Sequence, residues 1–206
     1  MATYKLYYFN ARGRGEASRI LFALQGVEYE DIRLEGESWQ AKKPEMPFGQ
    51  MPVLEITGAD KKTVKLAQSR AISRYLAREF GYAGKNSLDM ALVDSLVDHM
   101  DDLMKNLPFY EKDEEKKKKM IAEAMAGPIK EGLKKLEKYV TEDNVLVGKC
   151  ITLADIDFQT GAEFLISFSG DENVLKSTPK LQAVYDKVAN EPKIAAWIKK
   201  RPKTQF

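Results

Sequence analysis

The chain changes its hydrophobic period once, and that change limits what it can fold into. Up to Phe80, short stretches of alternating residues are interleaved with helical ones. From Leu88 onward, apolar residues recur only at intervals of three and four, and no strand pattern intervenes. Two units follow from this, a mixed one and an all-helical one. With 206 residues and 44% hydrophobic content, the chain can bury a core in each.

In the first part, residues 4–9 read as a strand, residues 16–25 place Ile20, Leu21 and Leu24 on one helical face, and residues 29–34 read as a second strand. The connection has the length a parallel pair requires, and such units close right-handed. After the proline-rich passage KKPEMPFGQMP come VLEI and TVKL, separated by TGADKK, which suits a hairpin and hence an antiparallel pair. Residues 69–80 read as a helix turning Ile72, Tyr75, Leu76 and Phe80 toward a sheet. The order βαβ then ββα is that of a thioredoxin-like domain.

Residues 81–87, GYAGKNS, mark a helix stop and a linker. Beyond it, LDMALVDSLVDHMDDLMKNL, KKMIAEAMAGPIKEGLKKLEKYV, TLADIDFQTGAEFLISF, PKLQAVYDKVANE and PKIAAWIKK each read as a helix. The expected organisation is a thioredoxin-like domain over 1–80, a linker over 81–87 and an all-α domain over 88–206, an α+β fold overall. In GKCITLADIDF, Thr152 stands three residues before Asp155, a capping box contributing about 1 kcal/mol and no chemistry.

Composition removes several classes of function. There are 33 basic and 31 acidic residues, so no net field draws the surface to nucleic acid or to an anionic membrane. MATYKLYY has no leader pattern, and no run approaches the ~18 apolar residues of a spanning helix, so a soluble cytoplasmic protein is expected. Cys150 is the only cysteine, which excludes an intrachain disulfide, a two-thiol redox centre and a thiolate zinc cage. Any thiol chemistry must use a thiol brought by a ligand. His99 is the only histidine and reads as a helix-surface residue, and GRGEAS is neither a P-loop nor a dinucleotide fingerprint. Asp94, Asp98, Asp101 and Asp102 recur at three and four, the pattern of a solvated face, and EKDEEKKKKM reads as a solvated helix start.

Tyr7 and Tyr8 end the first strand just before a Gly/Arg cluster. Alternation points them to opposite faces, so only one can reach a given site. It does not say which, and it leaves open that both are structural.

The stretches YKLYYFNARGRGEASR, WQAKKPEMPFGQMPVLEI, LAQSRAISRYLAREFG and ITLADIDF, with the ending IKKRPKTQF, resemble the sigma class of cytosolic glutathione transferases across nearly the whole chain. That class includes the glutathione-dependent prostaglandin D synthases. The resemblance selects Tyr8 as the donor of a hydrogen bond to the glutathione sulfur, with Arg14 adding positive potential beside it. It implies glutathione as co-substrate, held by Tyr8, Arg14, Trp39, Lys43, Gln50, Met51, Pro52, Gln68 and Ser69. Trp39 and Lys43 match positions for the glycyl carboxylate. The backbone of Met51, before a Pro52 suited to a cis bond, would pair with the cysteinyl part, and Gln68 and Ser69 match the γ-glutamyl carboxylate site at a helix start. Gln50 stands where some relatives carry lysine, which weakens binding slightly.

The same resemblance implies a homodimer in which Asp102 reaches the partner subunit's glutathione. It leaves room for a divalent cation at Asp98, Asp101 and Asp102 without requiring one, and assigns no metal. The hydrophobic electrophile is expected against Phe9, Arg14, Met104, Phe109 and Phe206. Phe109 departs from the tryptophan of vertebrate prostaglandin D synthases. The implied activity is conjugation of the glutathione thiolate to small hydrophobic electrophiles. The alternatives are isomerisation of prostaglandin H2, and the catalytically weak, structural role of the sigma-like lens S-crystallins. Those crystallins tend to carry an insertion in the helical half or altered glutathione contacts, whereas this chain is compact and keeps the contacts.

Overall fold

The computed structural model describes residues 2–204 and divides into two compact units, one formed by the residues up to Phe80 together with those from Pro192, the other by Gly81–Glu191. The first contains β1 (Thr3–Tyr8), α1 (Glu16–Gln25), β2 (Glu30–Arg33), α2 (Gly36–Lys42), β3 (Val53–Thr57), β4 (Thr63–Ala67), α3 (Ser69–Phe80) and the last helix, α9 (Pro192–Lys200). Its sheet has the order β2-β1-β3-β4. β1 runs parallel to β2, with Tyr8 opposite Arg33, and antiparallel to β3, with Tyr7 opposite Val53; β3 and β4 are antiparallel. The parallel pair needs the α1 crossover, and the hairpin needs only a short turn.

Alternation along β1 sorts its side chains. Tyr4 and Leu6 are buried on the face covered by α1 and α3, with Ile20, Leu21, Phe22, Ile72 and Leu76. The Tyr4 ring lies 5.3 Å from that of Phe22 and 6.3 Å from that of Phe80. Tyr7 points the other way, into a cluster with Met46 and Val53 that Trp39 and Met51 flank. Each large apolar side chain buried here contributes on the order of 1.5–3 kcal/mol.

The second unit contains α4 (Ser87–Met104), α5 (Glu114–Ala124), α6 (Lys130–Glu137), α7 (Leu153–Ser169) and α8 (Pro179–Ala189). Asn86 caps α4 by accepting from the amides of Leu88 and Asp89, and Asp113 caps α5 by accepting from that of Lys116. His99, half-buried on α4, lies 3.2 Å from the Gly132 carbonyl of α6.

Three features depart from the local pattern or add to it. Residues 118–140 do not form one helix: Met125–Ile129 is a widened π turn, with Gly127 at φ −105°, ψ −106° and Pro128 inside it. A proline supplies no amide hydrogen and its ring crowds the preceding turn, so the ladder breaks there. Residues 36–42 form a short helix that the polar composition of GESWQAK did not announce. Finally, α9 groups with the first unit rather than with the helical residues before it. Lys193 donates to the Leu24 carbonyl at 2.8 Å, and Trp197 and Arg201 both donate to Glu16.

Candidate functional site

β1 ends on Tyr8, which is 8% exposed. The chain then turns back over its ring: the backbone amide of Arg14 donates to the Tyr8 hydroxyl at 3.0 Å. Two glycines permit this approach. A Cβ on Gly13, whose φ is +37°, would lie 2.8 Å from that hydroxyl, and one on Gly15 would lie 2.8 Å from Cδ1 of the same ring. The Phe9 ring meets the Tyr8 ring edge-on at 5.5 Å and the Trp39 ring at 5.8 Å. The buried guanidinium of Arg19 stands 5.7 Å from the centre of the Tyr8 ring.

Burial pushes the Tyr8 phenol above its ordinary value near 10, against the opposing effects of the Arg14 amide and of the charges on Arg14 and Arg19. Tyr8 therefore keeps its proton at neutral pH. Its oxygen already accepts from a backbone amide, so the hydroxyl has its one proton to give. Tyr7, on the other face, donates to Glu55 at 3.4 Å and packs in its own cluster. The alternation left both tyrosines eligible, and the fold separates them.

Gly15→Ala displaces the Tyr8 ring from the loop. The expected result is at least a tenfold loss of kcat/KM for the reaction that the resemblance implies, with a smaller relative effect on folding, compared by kinetics and thermal melting.

Beside this loop lies a shallow depression, open to solvent and lined by Arg14, Phe48, Gln50, Met51, Pro52, Ala67, Gln68 and Ser69. The Met51–Pro52 bond is cis. Gln68 sits in the left-handed region at φ 74°, a conformation that side chains other than glycine and asparagine rarely adopt, immediately before α3 begins at Ser69. A helix start of this kind favours an anion. The fold thus gathers six of the residues named from sequence: Arg14, Gln50, Met51, Pro52, Gln68 and Ser69. Tyr8, Trp39 and Lys43 do not line the depression. Arg14 joins it to Tyr8, and Trp39 packs on Phe9. Phe48, 67% exposed, was missed; its only signal is an aromatic residue between proline and glycine in a loop.

In the helical unit, Phe109 is 46% exposed, and its ring lies 5.9 Å from Phe164 and 5.4 Å from Phe168. These two α7 residues look like ordinary helix positions in sequence. Met104, at the end of α4, approaches α7 so closely that a Cβ on Gly161 would lie 3.2 Å from its methyl group. Asp102 is exposed and paired with Lys105 at 2.7 Å. Among the described residues no three acidic, histidine or cysteine side chains are placed to hold a metal ion, and no helix is long and apolar enough to cross a membrane. Phe206 lies outside the described residues.

Comparison with known proteins gives this geometry its class. Residues 4–78 match the family model described as glutathione S-transferase, N-terminal domain, and residues 98–201 the one described as glutathione S-transferase, C-terminal domain. Hematopoietic prostaglandin D synthase of Gallus gallus is 44% identical over 204 residues, 99% of each chain. S-crystallin 4 of Enteroctopus dofleini is 39% identical over the whole of both. Among solved structures, the Fasciola hepatica sigma class GST superposes with a TM-score of 0.91 at 27% identity, covering 100% of this chain and 99% of that one. The chain belongs to the glutathione S-transferase family. Within it, the likeness is to the sigma class, with a thioredoxin-like domain, a helical domain and glutathione as co-substrate.

Proposed function

We propose that the protein conjugates glutathione to small hydrophobic electrophiles, working as a cytoplasmic homodimer in which the Tyr8 hydroxyl donates a hydrogen bond to the glutathione sulfur and keeps it ionised. The observation that carries this reading is the Arg14 amide on the Tyr8 hydroxyl beside a depression lined by Arg14, Gln50, Met51, Gln68 and Ser69. The α3 start would hold the γ-glutamyl carboxylate, and Lys43 and Trp39 the glycyl end. Asp102, exposed on α4, would reach the partner's glutathione. Phe109 with Phe164 and Phe168 offers the electrophile an aromatic surface.

A free thiol titrates near ~8.5, so only a few per cent is thiolate at pH 7. A hydrogen bond to a charged group contributes roughly 1.5–3 kcal/mol, or about one to two pKa units. That makes the nucleophile abundant without a general base.

The sign of the pH dependence follows. Burial raises the Tyr8 value, so the donor form persists through neutral and into alkaline solution. kcat/KM for conjugation of chlorodinitrobenzene is expected to rise from about pH 6 as the sulfur ionises and to stay level to about pH 9. A fall below pH 9 would contradict a neutral phenol.

Turnover of chlorodinitrobenzene tests the reading as a whole. Binding to immobilised glutathione with no turnover on any electrophile would instead favour the crystallin-like role. The full-length likeness to a prostaglandin D synthase supports a narrower version, in which the same thiolate opens the endoperoxide of prostaglandin H2 and is then released. Product analysis with prostaglandin H2 separates the two.

A further inference from the structure

Glu16, the first residue of α1, is 1% exposed and holds three donors. Its Oε1 accepts from Trp197 Nε1 at 2.9 Å and from Arg201 Nη1 at 2.9 Å, and its Oε2 accepts from Arg19 Nη1 at 3.2 Å. Arg19 is fully buried and faces the other way as well. Its Nη1 donates to the carbonyls of Ala11 at 2.6 Å and Arg12 at 3.4 Å, its Nη2 to that of Phe9 at 3.4 Å, and its Nε to Asp31 at 3.0 Å. One guanidinium therefore holds three carbonyls of the loop that leads to the Arg14 amide. At the far end of α1, Lys193 donates to the Leu24 carbonyl. Helix α9 thus runs antiparallel along α1, tied at both ends.

From this arrangement we infer that Trp197 and Arg201 are positioning residues for the reaction: acting through Glu16 and Arg19, they hold the loop 9–15 so that the Arg14 amide stays on the Tyr8 hydroxyl. A buried carboxylate is costly to desolvate, and an apolar contact would attach α9 as well. What charged groups with directional donors add is a fixed geometry, and this one ends on the loop that polarises the phenol. Trp197 and Arg201 do not line the depression. Their effect is indirect, through the donor strength of Tyr8. The inference rests on the reading of Tyr8 as the sulfur's donor.

The test is the pKa of enzyme-bound glutathione, read from its thiolate absorbance and from the pH profile of kcat/KM. Trp197→Phe keeps an aromatic ring and removes the donor, and Arg201→Gln is the second variant. Lys193→Met loosens the other end of α9 and is the control. Trp197→Phe and Arg201→Gln are each expected to raise the thiol pKa by about half a unit to one unit and to lower kcat/KM at neutral pH about three- to tenfold. Lys193→Met is expected to lower the melting temperature alone.

Combined with Tyr8→Phe, the shifts produced by Trp197→Phe and Arg201→Gln should vanish. If Tyr8→Phe lowers the rate but Trp197→Phe and Arg201→Gln change only the melting temperature, the positioning role is wrong. If Tyr8→Phe itself leaves the pH profile unchanged, the reading of Tyr8 fails, and the positioning role falls with it.

Discussion

Tyr8→Phe is expected to lower kcat/KM for conjugation by roughly 10- to 100-fold at neutral pH and to move the pKa of bound glutathione up by about one to two units, the effect of one hydrogen bond to a charged sulfur. The ring stays, and with it the contacts to Phe9, Gly15 and the Arg19 guanidinium, so folding is little affected. What is lost is the hydroxyl, together with the acceptor for the Arg14 amide. Raising the pH should restore much of the rate, because the sulfur then ionises unaided. Full activity of the variant from about pH 6 to pH 8 would remove Tyr8 from the mechanism.

A comparable effect on stability, with none on chemistry, is expected in the helical unit. Asp155 is fully buried and accepts from the Leu146 amide at 2.6 Å, the Thr152 amide at 2.7 Å and the Thr152 hydroxyl at 2.8 Å. It closes the capping box of α7 and also pins the loop before it. Asp155→Ala strands two buried amides at about 1–3 kcal/mol each and removes the cap, so a loss of roughly 3–5 kcal/mol is expected. Against a total of about 5–15 kcal/mol this is a large share. Denaturant midpoints at unchanged m-value measure it, and a loss below about 1 kcal/mol would show that water or a neighbouring group replaces the carboxylate.

Much of this was readable from local pattern. The helices over 16–25 and 69–80 have the bounds their apolar spacing indicates, and Thr152 and Asp155 form the box their separation indicates. Six of the eight residues lining the depression are ones that the resemblance had already grouped. The features that were not legible depend on partners distant in sequence. Nothing near Glu16 marks it as buried, because two of its donors lie 181 and 185 residues away. Phe164 and Phe168 gain meaning only from Phe109. The break at Gly127 was local and visible, yet the apolar spacing on either side runs through it.

Because α9 completes the first unit, that unit is discontinuous in the chain. The strand bearing Tyr8 is synthesised early, whereas two of the three donors to Glu16, on Trp197 and Arg201, follow the whole of Gly81–Glu191. The intervening unit, Gly81–Glu191, can settle first. Until those two side chains arrive, the Glu16 carboxylate has only the Arg19 donor, so a chain interrupted before Trp197 leaves α1 open to proteolysis.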